Sequence, residues 1–327
     1  MADVDPSCGG IEGWTLRVLV TGAGGFVGRH LRSALERRGH EVVPAFSPRH
    51  AAGQRIAVDL ADADAATRTV ADARPDAVIH LAARARPAGL DSVQALLDNN
   101  VRAAHGVLEA VRCLAPGARV IIASSSAVYG PVPAERNPVV EEEPLRPILP
   151  YGASKAAVEA VASVYTAHGL DVVTVRPFNL LGPGQGAEFV AGRFAQQIVQ
   201  IAAGRAEPLI ETGPLDTVRD FTDVRDAVRG YLALLDSRTG CGPFNICSGI
   251  PRSVGDLLGE MVALSSVKAV IRQRPGAGTP SGLDVPYQCG SRAAIGKAVA
   301  WEPEVAWRET LLDMLTDWRT RVQAEVS

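Results

Sequence analysis

Little in this chain marks it for a specialised class. Its five cysteines, Cys8, Cys113, Cys241, Cys247 and Cys289, form no C-x-x-C pair and have no histidines at ligand spacing, which argues against a disulfide framework and a metal centre. A reducing, cytoplasmic setting suits such cysteine usage. No apolar run approaches the ~20 residues that span a bilayer. The first residues, Met1 to Trp14, carry Asp3, Asp5, Pro6 and two adjacent glycines, with neither a basic start nor an apolar stretch. They read as a disordered leader and not as a secretory signal. Charge of one sign is missing as well: 33 Lys and Arg against 36 Asp and Glu give a net charge of -3, which disfavours nucleic acid as a partner. No internal repeat or low-complexity tract is visible.

What remains is an ordinary globular composition, 47% hydrophobic and 21% charged. A length of 327 residues exceeds what one core usually supports, and predicts one large and one smaller lobe. Strand-like runs at Leu16 to Val20, Glu41 to Ala45, Arg55 to Val58, Ala77 to Leu81, Arg119 to Ala123 and Asp171 to Arg176 alternate with segments mostly long enough for helices. That alternation predicts an α/β fold, a doubly wound parallel sheet whose ligands bind at the carboxyl ends of its strands. Beyond Asn179 the alternation breaks down, and this half is assigned mainly to a substrate lobe. Asp220 to Leu235 and the strand-like Pro243 to Ile246 return to the first domain. The expected division is a dinucleotide-binding domain over 15–178 plus 217–248 and a substrate lobe over 179–216 plus 249–322. The tail from Ala306 to Val322 reads as an amphipathic packing helix.

The first strand runs into Thr21-Gly22-Ala23-Gly24-Gly25-Phe26-Val27-Gly28, followed by helical spacing of Leu31, Ala34 and Leu35. Strand, glycine turn and helix amino terminus together form the context of a dinucleotide site, in which glycines permit the turn and the approach of a pyrophosphate. The end of the second strand carries no carboxylate to hold a ribose 2′-hydroxyl. It reads Phe46-Ser47-Pro48-Arg49, and Arg49 stands within reach of a 2′-phosphate, so the cofactor is expected to be NADP(H) or NAD(H) with a lean towards NADP. Asp59 and Leu60 are placed at the adenine edge. Arg84, Arg86 and Arg219 are cations that could meet a phosphate; solvated surface positions suit the first two better.

Two strings carry the chemistry: Ser124-Ser125-Ser126-Ala127-Val128-Tyr129-Gly130 after the fifth strand, and Tyr151-Gly152-Ala153-Ser154-Lys155 on a following helix. A hydroxyl cluster with Tyr and Lys one turn apart is equipped to move a proton to or from a carbonyl or alcohol oxygen.

With these strings the chain resembles the extended short-chain dehydrogenases/reductases of the NAD-dependent epimerase/dehydratase family, over nearly all of Arg17 to Trp318. The resemblance includes His80-Leu81-Ala82-Ala83, Asn100-Val101 and Arg176-Pro177-Phe178-Asn179. Within the family, Arg176 to Gln185, Val218 to Asp226, Asn245 to Gly249 and Asp284 to Pro286 are most similar to GDP-4-dehydro-6-deoxymannose reductases. The resemblance implies a Rossmann sheet, with Gly22, Gly25, Phe26, Val27, Gly28, Ala82, Ala83, Asn100, Tyr151 and Lys155 at the cofactor. It places Ser125, Tyr151 and Lys155 in catalysis and Ser126, Asn179 and Arg219 at a nucleotide-sugar substrate. It also implies a homodimer through helices within Ser92 to Cys113 and Tyr151 to His168. Two departures stand out: Ala103-Ala104 where relatives have Gly-Thr, and a glycine-rich insertion, Gly276 to Gly282, where relatives grip base and sugar.

In the implied chemistry Tyr151 protonates the oxygen of a 4-ketosugar, Ser125 hydrogen-bonds that oxygen, and Lys155 holds the nicotinamide ribose while its charge favours the tyrosinate. A cation ~4 Å away at an effective dielectric of ~20 supplies about 4 kcal/mol towards that end. Family dehydratases carry Asp-Glu after the position of Ser125. This chain has Ser126-Ala127, leaving ketosugar reduction first and nucleotide-sugar epimerisation second. A cofactor sensor without chemistry would not need the Tyr and Lys pair.

Overall fold

The computed structural model describes residues 15–47, 57–85, 93–237, 239–274 and 285–324. The leader, Arg49, Arg86 and the Gly276 to Gly282 insertion lie outside them. The first half runs β1 (Arg17–Thr21), α1 (Phe26–Arg37), β2 (Glu41–Ala45), α2 (Ala63–Ala73), β3 (Ala77–His80), a short α3 (Val93–Leu96), α4 (Arg102–Leu114), β4 (Arg119–Ala123), α5 (Pro150–Ala167) and β5 (Val172–Pro177). The second half follows with β6 (Asn179–Leu181), α6 (Val190–Ala202), β7 (Leu209–Thr212), β8 (Val218–Asp223), α7 (Val224–Asp236) and β9 (Phe244–Ile246). It closes with β10 (Pro251–Ser253), α8 (Val254–Ser265), β11 (Val270–Gln273), β12 (Tyr287–Gln288), α9 (Ala293–Val299) and α10 (Trp307–Ala324).

Six parallel strands in the order β2-β1-β3-β4-β5-β9 make the main sheet. Alternation along each strand sends side chains to two separate cores. Val18 and Val20 join Leu31 and Leu35 of α1 and Tyr231 and Leu232 of α7, while Leu19 joins Val70 of α2, Leu108 of α4 and Val158 of α5. The fold is therefore the doubly wound parallel sheet expected. Chain order reverses between β1 and β3, the place where such sheets open a ligand crevice.

One element differs from expectation. Arg55 to Val58 reads as a strand, but among the described residues Ala57 makes only a single parallel bridge to Phe46. The amide of Val58 donates to the carbonyl of Phe46 at 2.8 Å, and Arg55 and Ile56 lie outside the described residues.

A smaller group of elements packs α6, α8 and α10 around Phe194, Ile198, Leu257, Met261 and Trp318. In α10, Leu311, Met314, Leu315 and Trp318 face this core, whereas Leu312 of the same apolar series is exposed. Beside it lies a second sheet, β10-β8-β12 with β6 paired to β8. Val218 to Asp223 thus pairs in the second sheet, and the chain regains the main sheet through α7 and β9. No described helix is long and apolar enough to cross a membrane.

Candidate active site

The glycine turn after β1 rests on the end of β3. Gly22 has φ +70°, and a Cβ there would lie 2.8 Å from the amide nitrogen of Ala82. A Cβ on Gly28 would meet the carbonyl oxygen of Gly22 and stand 2.9 Å from the Cα of Ala23. The glycines therefore draw the amino terminus of α1 against the strand ends. Its first turn, which begins at Phe26 and Val27, carries no acidic side chain. Unpaired amides and the positive end of the helix dipole are left to meet an anion.

A cleft of about 430 Å³ opens there. Gly22, Gly25, Asp59, Leu60, Ala82 and Ala83 line it, all six anticipated from sequence. Their backbone cradle, which added Cβ atoms would fill, fits a dinucleotide. Phe46 and Ser47 form the wall beyond β2, with no carboxylate on it.

Sequence reasoning did not anticipate Glu188 and Phe189, which reach the cleft from the loop between β6 and α6. That loop is fastened to the first domain: Arg29 donates to the carbonyl of Gly184 at 2.8 Å, and His30 Nε2 lies 2.8 Å from the carbonyl oxygen of Pro183. Asp317 of α10 accepts from the amide of Gly184 at 3.0 Å.

Beside the cleft, β4 ends in Ser124 and Ser125, and a tight turn over Ser126–Val128 follows. Ser125 Oγ accepts the amide of Ala127 at 3.2 Å, and the Ser125 side chain acts to lower the pKa of the Tyr151 phenol. Pro150 opens α5, where its missing N–H is not needed, and sets Tyr151 on the first turn with Lys155 one turn on. Lys155 Nζ lies 6.0 Å from the centre of the Tyr151 ring and donates to the carbonyl of Ala123 at 2.6 Å.

These contacts correct the expected electrostatics. Burial pushes the Tyr151 phenol up to about 12, with the Ser125 hydrogen bond acting the other way. Burial also brings Lys155 down to about 8, opposed by the Glu159 carboxylate. Desolvation outweighs the attraction of one ammonium engaged with a carbonyl, so Tyr151 keeps its proton at neutral pH. Burial first, and Lys155 second, hold His80 at about 3, a neutral imidazole whose Nδ1 lies 2.9 Å from Thr21 Oγ1.

Asn100 sits in a π-helical turn, Leu97–Val101, and such turns redirect one side chain out of the helical register. Its amide donates to Ser154 Oγ at 3.0 Å and to the carbonyl of Arg84 at 3.1 Å, and accepts the Arg84 amide at 2.8 Å. Ser154 in turn donates to the carbonyl of Tyr151 at 2.8 Å. Asn100, grouped by resemblance with the cofactor contacts, thus ties the cleft wall at Arg84 to the turn bearing Tyr151.

The three residues assigned to substrate lie where the two sheets meet. Ser126 is buried, and its carbonyl accepts from Gln288 of β12 at 3.2 Å. Arg219 of β8 is in register with Gln288 and donates to the carbonyl of Val218 at 2.8 Å. Asn179 donates to the carbonyl of Asp220 at 3.2 Å. Gln288 carries no motif and was invisible in the sequence. So was the role of Asp220, a fully buried carboxylate that accepts from the amides of Ser248, Gly249 and Gly290 at 2.7, 2.9 and 3.2 Å and from the Ser248 hydroxyl at 2.7 Å. Behind Ser124, Glu159 accepts its hydroxyl and is gripped by Arg176, whose guanidinium also donates to the Tyr129 phenol at 2.9 Å.

A family model described as the NAD dependent epimerase/dehydratase family matches residues 18–247. GDP-6-deoxy-D-mannose reductase of Pseudomonas aeruginosa is 31% identical over 95% of this chain and 100% of its own length. UDP-glucose 4-epimerase of Azospirillum brasilense is 30% identical over 95% of this chain and 94% of its own. Among solved structures, RMD from Pseudomonas aeruginosa complexed with NADPH superposes with a TM-score of 0.83 at 30% identity, covering 94% of this chain and 98% of that one. UDP-glucose 4-epimerase of Thermus thermophilus in complex with NAD gives 0.79 at 28% identity over 92% and 98%. Together with the glycine cradle at the strand-order reversal and the Ser125, Tyr151, Lys155 cluster beside it, these likenesses establish that the chain belongs to the NAD dependent epimerase/dehydratase family.

Proposed function

We propose that this protein reduces a nucleotide-linked 4-keto-6-deoxyhexose with NAD(P)H. The observation that carries the reading is the placement of Tyr151 and Lys155 one turn apart on α5, beside the Ser124-Ser125 end of β4. Reduction of a ketone needs a proton donor at the carbonyl oxygen, and a phenol pushed up to about 12 is loaded throughout the physiological range. Bound nicotinamide supplies hydride to the carbonyl carbon. Tyr151 delivers its proton to the oxygen as charge develops there, and Ser125 donates a second hydrogen bond to the same atom. Lys155, when protonated, stabilises the phenolate left behind. Ser126 and Ala127 offer neither the acid nor the base that dehydration requires.

The full-length similarity to a GDP-6-deoxy-D-mannose reductase supports this reading, and Asn179 and Arg219 are assigned to the nucleotide sugar. Similarity to UDP-glucose 4-epimerases over nearly the same span supports epimerisation as the second reading. Our reading also takes the protein as a cytoplasmic homodimer joined through helices within Ser92 to Cys113 and Tyr151 to His168; the exposure of Val164 on α5 supports such a contact. The test is a panel of nucleotide 4-keto-6-deoxysugars offered with NADPH and with NADH, with products identified by NMR. Reduced C4 alcohols are expected; a panel returned unreduced would overturn the reading.

Lys155→Met is expected to abolish turnover and yet raise the melting temperature at pH 7 by a few degrees. Its ammonium, at about 8 in the fold against 10.5 ordinarily, binds its proton more weakly folded than unfolded. Stability therefore carries a penalty of about 3 kcal/mol below pH 8 that is relieved as pH rises to 10.5. Melting curves of both proteins from pH 7 to 10 check this: the wild type should gain on the variant as pH rises.

A further inference from the structure

The proton relay of Ser125, Tyr151 and Lys155 leaves one buried acid on the same helix unused. Glu159 follows Lys155 by one helical turn on α5, so Tyr151, Lys155 and Glu159 stand one above another on a single face. Only 10% of the Glu159 side chain is exposed. It accepts the Ser124 hydroxyl, and Arg176 of β5 grips it through Nε at 2.9 Å and Nη2 at 2.6 Å.

The contacts of this face interlock with the end of β4. Lys155 donates to the carbonyl of Ala123, and Glu159 accepts from the side chain of Ser124. Two successive turns of α5 therefore hold the two residues immediately before Ser125, and so fix the strand end that presents it. Glu159 is also the counter-charge that Lys155 meets. Tyr151 on the same helix and His80 of β3 are both neutral at physiological pH and supply no negative charge. Arg176 is the cation paired with Glu159, and beyond it lie the Tyr129 phenol and the Glu141 carboxylate, which the guanidinium also attracts.

We propose that Glu159 is a positioning residue for Lys155: it locks α5 to the end of β4 and supplies the negative charge that holds the ammonium beside Tyr151, while Arg176 limits how much of that charge Lys155 receives. The attraction of Glu159 opposes the burial that brings Lys155 down to about 8. The inference rests on reading Lys155 as the cation that stabilises the Tyr151 phenolate; within that reading, Glu159 and Arg176 together set the pH at which the stabilisation is lost. An ion pair serving structure alone would cost stability when either partner is removed and would leave the Lys155 titration where it is.

The chain holds three lysines, Lys155, Lys268 and Lys297, so the Lys155 titration is resolved by NMR of protein carbon-labelled at lysine Cε, with Lys155→Met giving the assignment. Glu159→Gln retains an amide oxygen to accept from Ser124 and Arg176, and is expected to titrate Lys155 about one pH unit below the wild type. Arg176→Gln breaks the same ion pair but leaves the Glu159 charge uncompensated, and is expected to titrate Lys155 higher. The signs are opposite although both variants lose stability, and either alone decides the direction should the other fail to fold. Glu159→Asp keeps the charge and should return Lys155 towards the wild-type value. In turnover of a ketosugar the alkaline limb of kcat should move with Lys155, lowering kcat about fivefold at pH 8 in Glu159→Gln with KM little changed. A Lys155 titration unmoved in both variants, one moved the same way in both, or a kcat limb that does not follow it would overturn the proposal. Where no ketosugar is reduced, the functional reading falls and the titrations alone decide this inference.

Discussion

Tyr151→Phe is expected to lower kcat about a thousandfold or more while NADPH binds as before. The substitution removes one hydroxyl and keeps the ring on the first turn of α5, so the packing of that turn on the Ser126–Val128 turn is retained. What is lost is the hydroxyl that burial keeps protonated at neutral pH. General acid catalysis is worth roughly a hundred- to ten-thousandfold, and the upper part of that range applies because Ser125 alone cannot release a proton cheaply. His80 does not substitute, because burial holds its imidazole neutral, at about 3. Steady-state rates and a fluorescence titration with NADPH read the two quantities separately. A variant that keeps a tenth of the wild-type rate would remove Tyr151 from the proton's path.

Asp220→Ala should have the largest structural effect. The carboxylate is fully buried and ties three separate chain segments together: β8, the Ser248-Gly249 turn after β9, and Gly290 beyond β12. Alanine would leave the three amides without an acceptor, while the Ser248 hydroxyl would retain only its 3.4 Å contact to the carbonyl of Ile250. A single orphaned buried polar group costs about 1–3 kcal/mol, so a total loss of at least about 3 kcal/mol is expected even after partial relaxation. The second sheet, which holds Asn179 and Arg219, would loosen first. The functional counterpart is a large rise in KM for the nucleotide sugar, with the affinity for NADPH little changed because the glycine cradle lies on the other sheet. Chemical denaturation and paired titrations check both halves. Asp220→Asn should recover part of the loss, since an amide oxygen can still accept from some of these donors.

Much of the main sheet was legible because parallel strands buried on both faces write themselves as short β-branched runs, such as Arg17 to Val20 and Arg119 to Ala123. The glycine turn was legible for a steric reason, since the positions where a Cβ would strike Ala82 or the Gly22 carbonyl admit little else. The Tyr151 and Lys155 pair follows from helical period alone. Other features have no local signal. Gln288 bonds the carbonyl of Ser126 across the two sheets, and Arg32 meets Phe46 only because α1 packs beside β2. The burial that raises Tyr151 and lowers Lys155 was hidden, because pairwise attraction can be read from spacing, whereas desolvation depends on everything packed around the pair. The pairing of Val218 to Asp223 in the second sheet was equally hidden, being set by strand partners distant in sequence.

The central claim is net hydride transfer to C4 of a ketosugar with Tyr151 as proton donor. The most direct measurement follows a nucleotide 4-keto-6-deoxyhexose reacting with NADPH deuterated at the transferred position, counting cofactor oxidised and locating the label by NMR. The expected result is one NADPH oxidised per sugar converted, with deuterium on C4 of the product. Conversion of a nucleotide sugar without net NADPH oxidation, on protein that retains its cofactor, would contradict it and establish epimerisation instead.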